Sequence, residues 1–295
     1  VETTAESDHR INWPGSIPFF GLHVGAIVGI ALLGWSWKGF ALAVGLYVVR
    51  MFFVTAGYHR YFAHRTFRTS RAMQLVFALG AMSSSQKGVV WWASHHRKHH
   101  KHSDLPGDVH SALRDGFWWS HLGWVLAYDT QTTDLQRVRD LTEYPELVWL
   151  NRRWWLPPAT LGVGSFLVGG WFGLVWAFCL STVLLWHGTF TINSLTHMFG
   201  SRRYVTTDNS RNNPLLALIT LGEGWHNNHH YYQRSVRQGF FWWEVDVSYY
   251  VLCAMAAVGL VWDLQLPDER VRRGEKVGPT IVGAPQPEAS VAPAE

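Results

Sequence analysis

Three groups of histidine are spaced to bind metal. They are His59-Arg-Tyr-Phe-Ala-His64, His96-Arg-Lys-His99-His100 and His226-Asn-Asn-His229-His230. The last two share the pattern H-x-x-H-H. Residues three and four apart lie on one face of a helix, so each pattern aims three imidazoles at one point. His59 and His64 are five apart, off one α-helical face, and converge if the helix ends between them. Neutral imidazole is a ligand for iron, copper, nickel and zinc. Eight histidines exceed the needs of one four-coordinate ion, so the set reads as a two-metal site. Asn193 and His197, at i and i+4, add a pair pointing the same way.

Some element must bring these groups together. The chain has 295 residues, 48% of them hydrophobic, with 18 Trp and 16 Phe. Phe19 to Trp37, Gly39 to Gly57 and Leu156 to Phe199 are long apolar stretches, and the last has room for two membrane spans folded back near Gly169-Gly170. Spans are expected over about 18–37, 39–57, 156–170 and 173–197. Tyr58 to Trp155 carries 13 Lys and Arg, and the chain after Phe199 carries nine. The positive-inside rule then puts both termini and every histidine group on the cytoplasmic side. The expected fold is an all-α integral membrane protein. It has four transmembrane helices in two hairpins, and a cytoplasmic helical cap holds a di-metal site.

Residues 1–14 are expected to be a disordered start, 15–265 the working domain and 266–295 a polar, disordered tail. Val1 to Asp8 lacks the order of a signal peptide. Ala72 to Met82, Gly116 to Tyr128 and Ser248 to Trp262 read as buried or membrane-surface helices. Arg50, inside the second span, snorkels or faces the bundle interior. Cys179 and Cys253 sit in apolar stretches and read as packing residues. The net charge of +4 is scattered, which suits a membrane-facing surface better than nucleic-acid binding. Asp108 and Glu223 are candidates to orient ligand imidazoles. His95, His102, His110 and His121 flank the second group and read as outer or structural; His23 and His187 read as packed, hydrogen-bonded residues.

The three groups resemble the histidine boxes of the membrane-bound fatty acyl desaturases, of the bacterial, delta-9 type. Asn193-Ser-Leu-Thr-His197 is similar to that family's Asn-x-x-x-His element. Trp91-Trp92-Ala93, Gly116 to Trp124 and Asp208-Asn-Ser-Arg-Asn-Asn213 agree as flanks, so the resemblance covers about residues 15–265. It implies two irons and nine histidines. One iron would take His59, His64, His96, His100 and His229. The other would take His99, His197, His226 and His230, with Asn193 holding a bound water. It also implies that dioxygen is used to remove two hydrogens from a saturated acyl chain. The product is a cis double bond, by default at the ninth carbon, made at the bacterial inner membrane.

The chain departs from the animal acyl-CoA enzymes. Ser94-His95 replaces an Arg-Asp pair, and Val-Leu-Ala-Tyr-Asp129 replaces an Arg-Lys pair, so CoA, phospholipid and carrier protein all stay open as acyl carriers. The fused haem motif His-Pro-Gly-Gly and a G-x-G-x-x-G fingerprint are absent, which implies an external donor: a ferredoxin, or a cytochrome with its reductase. The near rival is a hydroxylase of the same superfamily acting on alkane, sterol or carotenoid. The rival of another class is a non-catalytic metal-binding or transport protein, which would need polar groups lining the spans.

Overall fold

A computed structural model describes residues 9–275. Positions 1–8 and 276–295, most of the two ends expected to be disordered, lie outside the described residues. Order begins earlier than the expected boundary at 15. Ile11 bridges to Ala127, and Asn12 caps the first helix by accepting from the Gly15 amide at 2.9 Å. At the other end Glu269–Arg272 is a helical turn, so residues 266–275 of the expected tail are also placed.

The regular structure of the described residues is almost all helical. Helix α1 runs Trp13–Leu33 and stops at Gly34, whose φ of 77° a helix cannot accommodate. Ser36 then caps helix α2, Trp37–Ala63. Both start earlier than expected, because Asn12 and Ser36 supply caps that the apolar stretches alone do not show. Lys38, expected in the link, therefore lies in the first turn of α2. Helix α3 is Arg71–Met82 and helix α4 is Val89–His102.

The third apolar run, Leu156–His197, is 42 residues long and broken at Gly170. Gly170 has φ 57° and ψ −147°, a conformation open essentially to glycine alone. The chain reverses there. Helix α5, Leu156–Phe172, lies against the following π-helical stretch Gly173–Leu180: a Cβ on Gly162 would meet the Phe178 ring at 3.1 Å. The return arm continues as helix α6, Ser181–Ser194, and ends in a 3₁₀ turn, Leu195–His197.

Among the described residues, three helical runs are long and apolar enough to cross a membrane, and large apolar side chains such as Ile27, Leu167 and Val168 stand exposed on them. Apolar surface of that extent suits lipid contact. Arg50 faces inward from α2. It donates to Ser181 Oγ at 2.9 Å, Thr182 Oγ1 at 3.0 Å and the Ser83 carbonyl, which ties α2 to α6. The buried core centres on the end of α2 with α3 and α4, where Tyr58, Phe62, Phe77 and Met82 are fully enclosed. Helices α7, His226–Tyr231, and α8, Val247–Ala257, complete the histidine-bearing end. Strands β1, Arg68–Thr69, and β2, Val261–Trp262, pair antiparallel and close α8 against the rest.

Candidate di-metal site

The site begins where α2 changes winding. From Phe53 to Ala63 the helix is π-helical, and the His64 amide donates to the His59 carbonyl at 3.1 Å. In i→i+5 winding, residues five apart share a face. The helix therefore does not end between His59 and His64, as the α-helical spacing suggested; it widens. Helix α4 presents His96, His99 and His100, the 3₁₀ turn presents His197, and α7 presents His226, His229 and His230.

Helix α7 is too short to stand alone, and its asparagines fix it. Asn212 Oδ1 accepts from the amides of Asn227 and Asn228 at 2.9 and 3.1 Å, satisfying donors at the helix start. Asn227 Oδ1 accepts from the Arg203 and Tyr204 amides, and Asn228 donates to Glu244 at 2.8 Å. The preceding Gly222 and Gly224 are equally constrained. Gly222 has φ 127°, and a Cβ on Gly224 would lie 2.1 Å from the Ala217 nitrogen.

The nine histidines assemble into two groups that could each hold a metal ion. One is His59, His64, His96, His100 and His229; the other is His99, His197, His226 and His230. The first is partly open, whereas all four members of the second are buried. In the first, Nε2 atoms face one another: His59–His229, His229–His100 and His100–His96 at 3.0 Å, and His96–His64 at 2.8 Å. A metal about 2.0–2.1 Å from each nitrogen would place neighbours about 3 Å apart at right angles. In the second, Nε2 of His99 and of His230 are buried with no hydrogen-bond partner. Such orphaned ring nitrogens are costly unless a cation takes their lone pairs. The donor set fits first-row divalent metals.

Four carboxylates hold the far side of the rings. Asp108 Oδ1 accepts from His99 Nδ1 at 2.8 Å, Asp104 Oδ2 from His197 Nδ1 at 2.9 Å and Asp208 Oδ2 from His230 Nδ1 at 2.7 Å. Glu223 reaches His59 Nδ1 and also pairs with buried Arg60, at 3.1 Å. Each bond puts the proton on Nδ1 and leaves Nε2 free to ligate. Asp108 and Glu223 were candidates for this role; Asp104 and Asp208 were not. Their only sequence signal is an acidic residue in the turns that follow the second box and precede the third. Three of these four carboxylates serve the buried group.

The electrostatics follow from burial. Desolvation pushes His64, His96, His100, His226 and His229 well below the ordinary histidine value, keeping them neutral and able to bind metal. His230 is pulled down to about 4 by burial, against the opposing pull of Asp208. Burial would lower His99, but Asp108 together with Asp104 and Asp208 outweighs it and raises the ring. Burial raises the Asp104 carboxyl, while His197 and the Asn209 amide more than offset this and hold it at about 2.

Two cavities meet the site. One, of about 530 Å³, is lined by apolar groups including Phe19, Leu22, Trp91, Phe178 and Trp186. A second, of about 40 Å³, lies between the groups, walled by His59 and His96 on one side and His99 and His226 on the other. The two share Trp92, His96, His110, Thr189 and Asn193 as walls. Asn193 thus stands where the apolar cavity reaches the histidines. His110 stacks on His99, with ring centroids 4.1 Å apart. His23, His187 and His121 form a hydrogen-bonded row, with successive ring nitrogens 3.0 Å apart.

The fatty acid desaturase family model matches residues 35–250 of this sequence. The chain belongs to the fatty acid desaturase family. This desaturase is 35% identical to the sn-1 stearoyl-lipid 9-desaturase of Anabaena variabilis, over 88% of its own length and 96% of the relative's. It is 36% identical to the sn-1 stearoyl-lipid 9-desaturase of Synechocystis, covering 87% and 81%. It is 34% identical to an acyl-CoA 5-desaturase of Anemone leveillei, covering 86% and 79%. The desaturase is an enzyme of acyl-chain metabolism, and its histidine groups could each hold a metal ion. The hydroxylase and metal-transport readings lose their support.

Proposed function

We propose that this desaturase introduces a cis double bond at the ninth carbon of a saturated, lipid-linked acyl chain, using dioxygen and two irons. The observation that carries this reading is the shared wall of the two cavities. An extended acyl chain in the apolar cavity passes Trp92, Thr189 and Asn193, and there a methylene pair lies beside the space between the histidine groups. The names of the cyanobacterial relatives support the bond position and the lipid carrier. Ser94-His95, where a CoA-binding pair would stand, supports the same choice.

One iron would be held by His59, His64, His96, His100 and His229, the other by His99, His197, His226 and His230, with Asn193 holding a water. Bound iron supplies the oxidising power that an unactivated C–H bond demands. The chain's own residues do the rest. Asp104, Asp108, Asp208 and Glu223 fix the ring tautomers, and the apolar cavity excludes water and aligns the chain. The four helical arms α1, α2, α5 and Gly173–Ser194 span the membrane as two hairpins, with the histidine end as a cytoplasmic cap. The enzyme sits in the bacterial inner membrane with both termini cytoplasmic.

Expression in a host poor in unsaturated lipid, with double bonds mapped by mass spectrometry, tests the reading. A new monounsaturated acid, absent with His99→Ala, is expected. Hydroxylated product, or none when a ferredoxin and its reductase are co-expressed, would overturn it.

A further inference from the structure

A single formal charge stands in the wall of the apolar cavity. Among the described residues that line it, Lys87 is the only Lys, Arg, Asp or Glu. The side chain is half-buried, and burial lowers the ammonium below its ordinary value. Its Nζ donates to Gln131 Oε1 at 2.6 Å and sits 4.7 Å from the centre of the Trp154 ring. An ammonium carries three donors. A neutral amide and an aromatic face leave donors for a further oxygen, and a desolvated cation gains most from one. Whatever fills the cavity can bring that oxygen.

Lys87 is rigidly placed. It precedes Gly88, the N-cap of α4, with a left-handed φ of 69° that is uncommon for a residue bearing a side chain. Its carbonyl accepts from Tyr58 Oη at 2.6 Å. The start of α4 is pinned as well. The Trp91 amide donates to Asn151 Oδ1 at 3.0 Å, and the Trp91 indole donates to the Thr130 carbonyl at 2.7 Å. From there Trp91, Trp92, His95 and His96 of α4 line the same cavity. The cavity therefore follows one helix, with an ammonium just before its first turn and a site histidine further along.

We propose that Lys87 anchors the ester carbonyl of the bound acyl chain and that α4 measures the chain from there to His96. The inference rests on the reaction proposed above and names the residue that sets its bond position. Val89 to His96 is about 10 Å of helix at 1.5 Å per residue. From the carbonyl carbon to the ninth carbon are eight single bonds, about 10 Å in extended zigzag. The two lengths agree. A headgroup phosphate held at Lys87 would spend about 5 Å on glycerol and ester and bring roughly the fifth carbon beside His96. The ninth carbon therefore selects the carbonyl over the headgroup as the group held.

Binding without turnover tests the anchor. The metal-free full chain in detergent is titrated with three probes that quench tryptophan fluorescence: methyl 9,10-dibromostearate, 9,10-dibromostearic acid and 9,10-dibromooctadecane. Trp91, Trp92, Trp154 and Trp186 line the cavity and report its occupancy. Wild type is expected to bind the ester at least about tenfold more tightly than the hydrocarbon, the usual yield of a hydrogen bond to a charged group. Lys87→Met keeps the length and loses the donors. It is expected to bind the hydrocarbon as wild type does and to lose the preference for the ester. Should it fail to fold, Lys87→Asn, better suited to a positive φ, is expected to show the same loss. In an expressing host the variant's double bonds should spread to carbons beside the ninth, with the ratio of ninth-carbon product to its neighbours down at least about tenfold.

A folded Lys87→Met whose ester preference stays within about twofold of wild type overturns the proposal. So does a variant that still makes one positional isomer. A wild type that favours the acid but binds the ester like the hydrocarbon also overturns it, since the site would then read a carboxylate. The failures separate. Loss of the ester preference in the variant, with no unsaturated product from wild type, sinks the proposed reaction alone. Ninth-carbon product from wild type, with Lys87→Met unchanged in binding and product, sinks only the anchor.

Discussion

Asp104 accepts a hydrogen bond from His197 at 2.9 Å across 93 residues of sequence, joining the turn after α4 to the end of α6. The same carboxylate oxygen accepts from the Asn209 amide at 2.8 Å, and the other accepts from Ser111 at 2.8 Å. One side chain thus gathers three segments around the buried group. Asp104→Asn keeps the shape and removes the charge that fixes the His197 tautomer. Loss of such a partner usually costs 10–100-fold in metal affinity or activity. The expected result is a folded protein with about half the iron of wild type and activity down at least about tenfold. Iron per chain, measured by mass spectrometry beside the melting curve, checks it. Full iron content with a wild-type rate would show that Asp104 only ties the turn.

Metal removal exposes the histidines to acid. His64, His96, His100, His226 and His229 have folded values below their ordinary one because of burial. In the unfolded chain each titrates near 6.5. The unfolded state therefore binds more protons as pH falls below about 6.5, and the stability present above that pH is lost going down. Each such histidine contributes up to about 1.4 kcal/mol per pH unit. His99, raised by Asp108 against its burial, opposes this with the reverse sign. The melting temperature of chelator-treated protein is expected to fall steadily between pH 7 and 5, and iron is expected to shift that fall to lower pH. A melting temperature flat over that range in the metal-free protein contradicts the burial account.

The boxes were legible because ligands on one helix obey its period: His96, His99 and His100 need no tertiary information to share a face. The break in the third apolar run was legible for a similar local reason: the run is long, Gly169-Gly170 is where a helix gives way most easily, and the helical φ/ψ does fail at Gly170. His59 and His64 were not readable as one face. The π winding of α2 is set by how its end packs on α3 and α4, and no local pattern announces it. Asp104 and Asp208 were missed because what makes them matter is a partner 93 or 22 residues away. An acidic residue in a polar turn otherwise looks like solvated surface. The helix starts at Trp13 and Trp37 were readable only from the polar residues Asn12 and Ser36, whose side chains cap amides three residues on, and not from the apolar stretches themselves.

The apolar cavity sets which acyl chain fits. Its lining includes Gly21 and Leu22 of α1 and Phe178, together with the polar Asn12, Lys87 and Gln131. A Cβ on Gly21 would meet no atom within 4 Å, so a larger side chain there extends into free space without disturbing the fold. Gly21→Leu is expected to shorten the accepted chain by about two to four carbons, since added methylenes must then occupy filled volume. The ratio of sixteen- to eighteen-carbon monounsaturated acids in an expressing host should rise several-fold. An unchanged ratio with unchanged total product places the chain end elsewhere.

Gly170 carries the break between α5 and the stretch that follows it. At φ 57° and ψ −147° a side chain clashes with the backbone whatever the surrounding space, and at this site that space is open. Gly170→Ala should therefore cost about 1–3 kcal/mol through backbone strain alone. Gly169 is the internal control. It too has open space around it but lacks a positive φ, so Gly169→Ala should leave stability unchanged or raise it slightly. Melting curves of the two variants in one detergent separate strain from crowding. A loss in Gly170→Ala alone ties the reversal to that backbone conformation. Equal behaviour of the pair would mean that the turn relaxes freely and that packing of Gly162 against Phe178 holds the arms together.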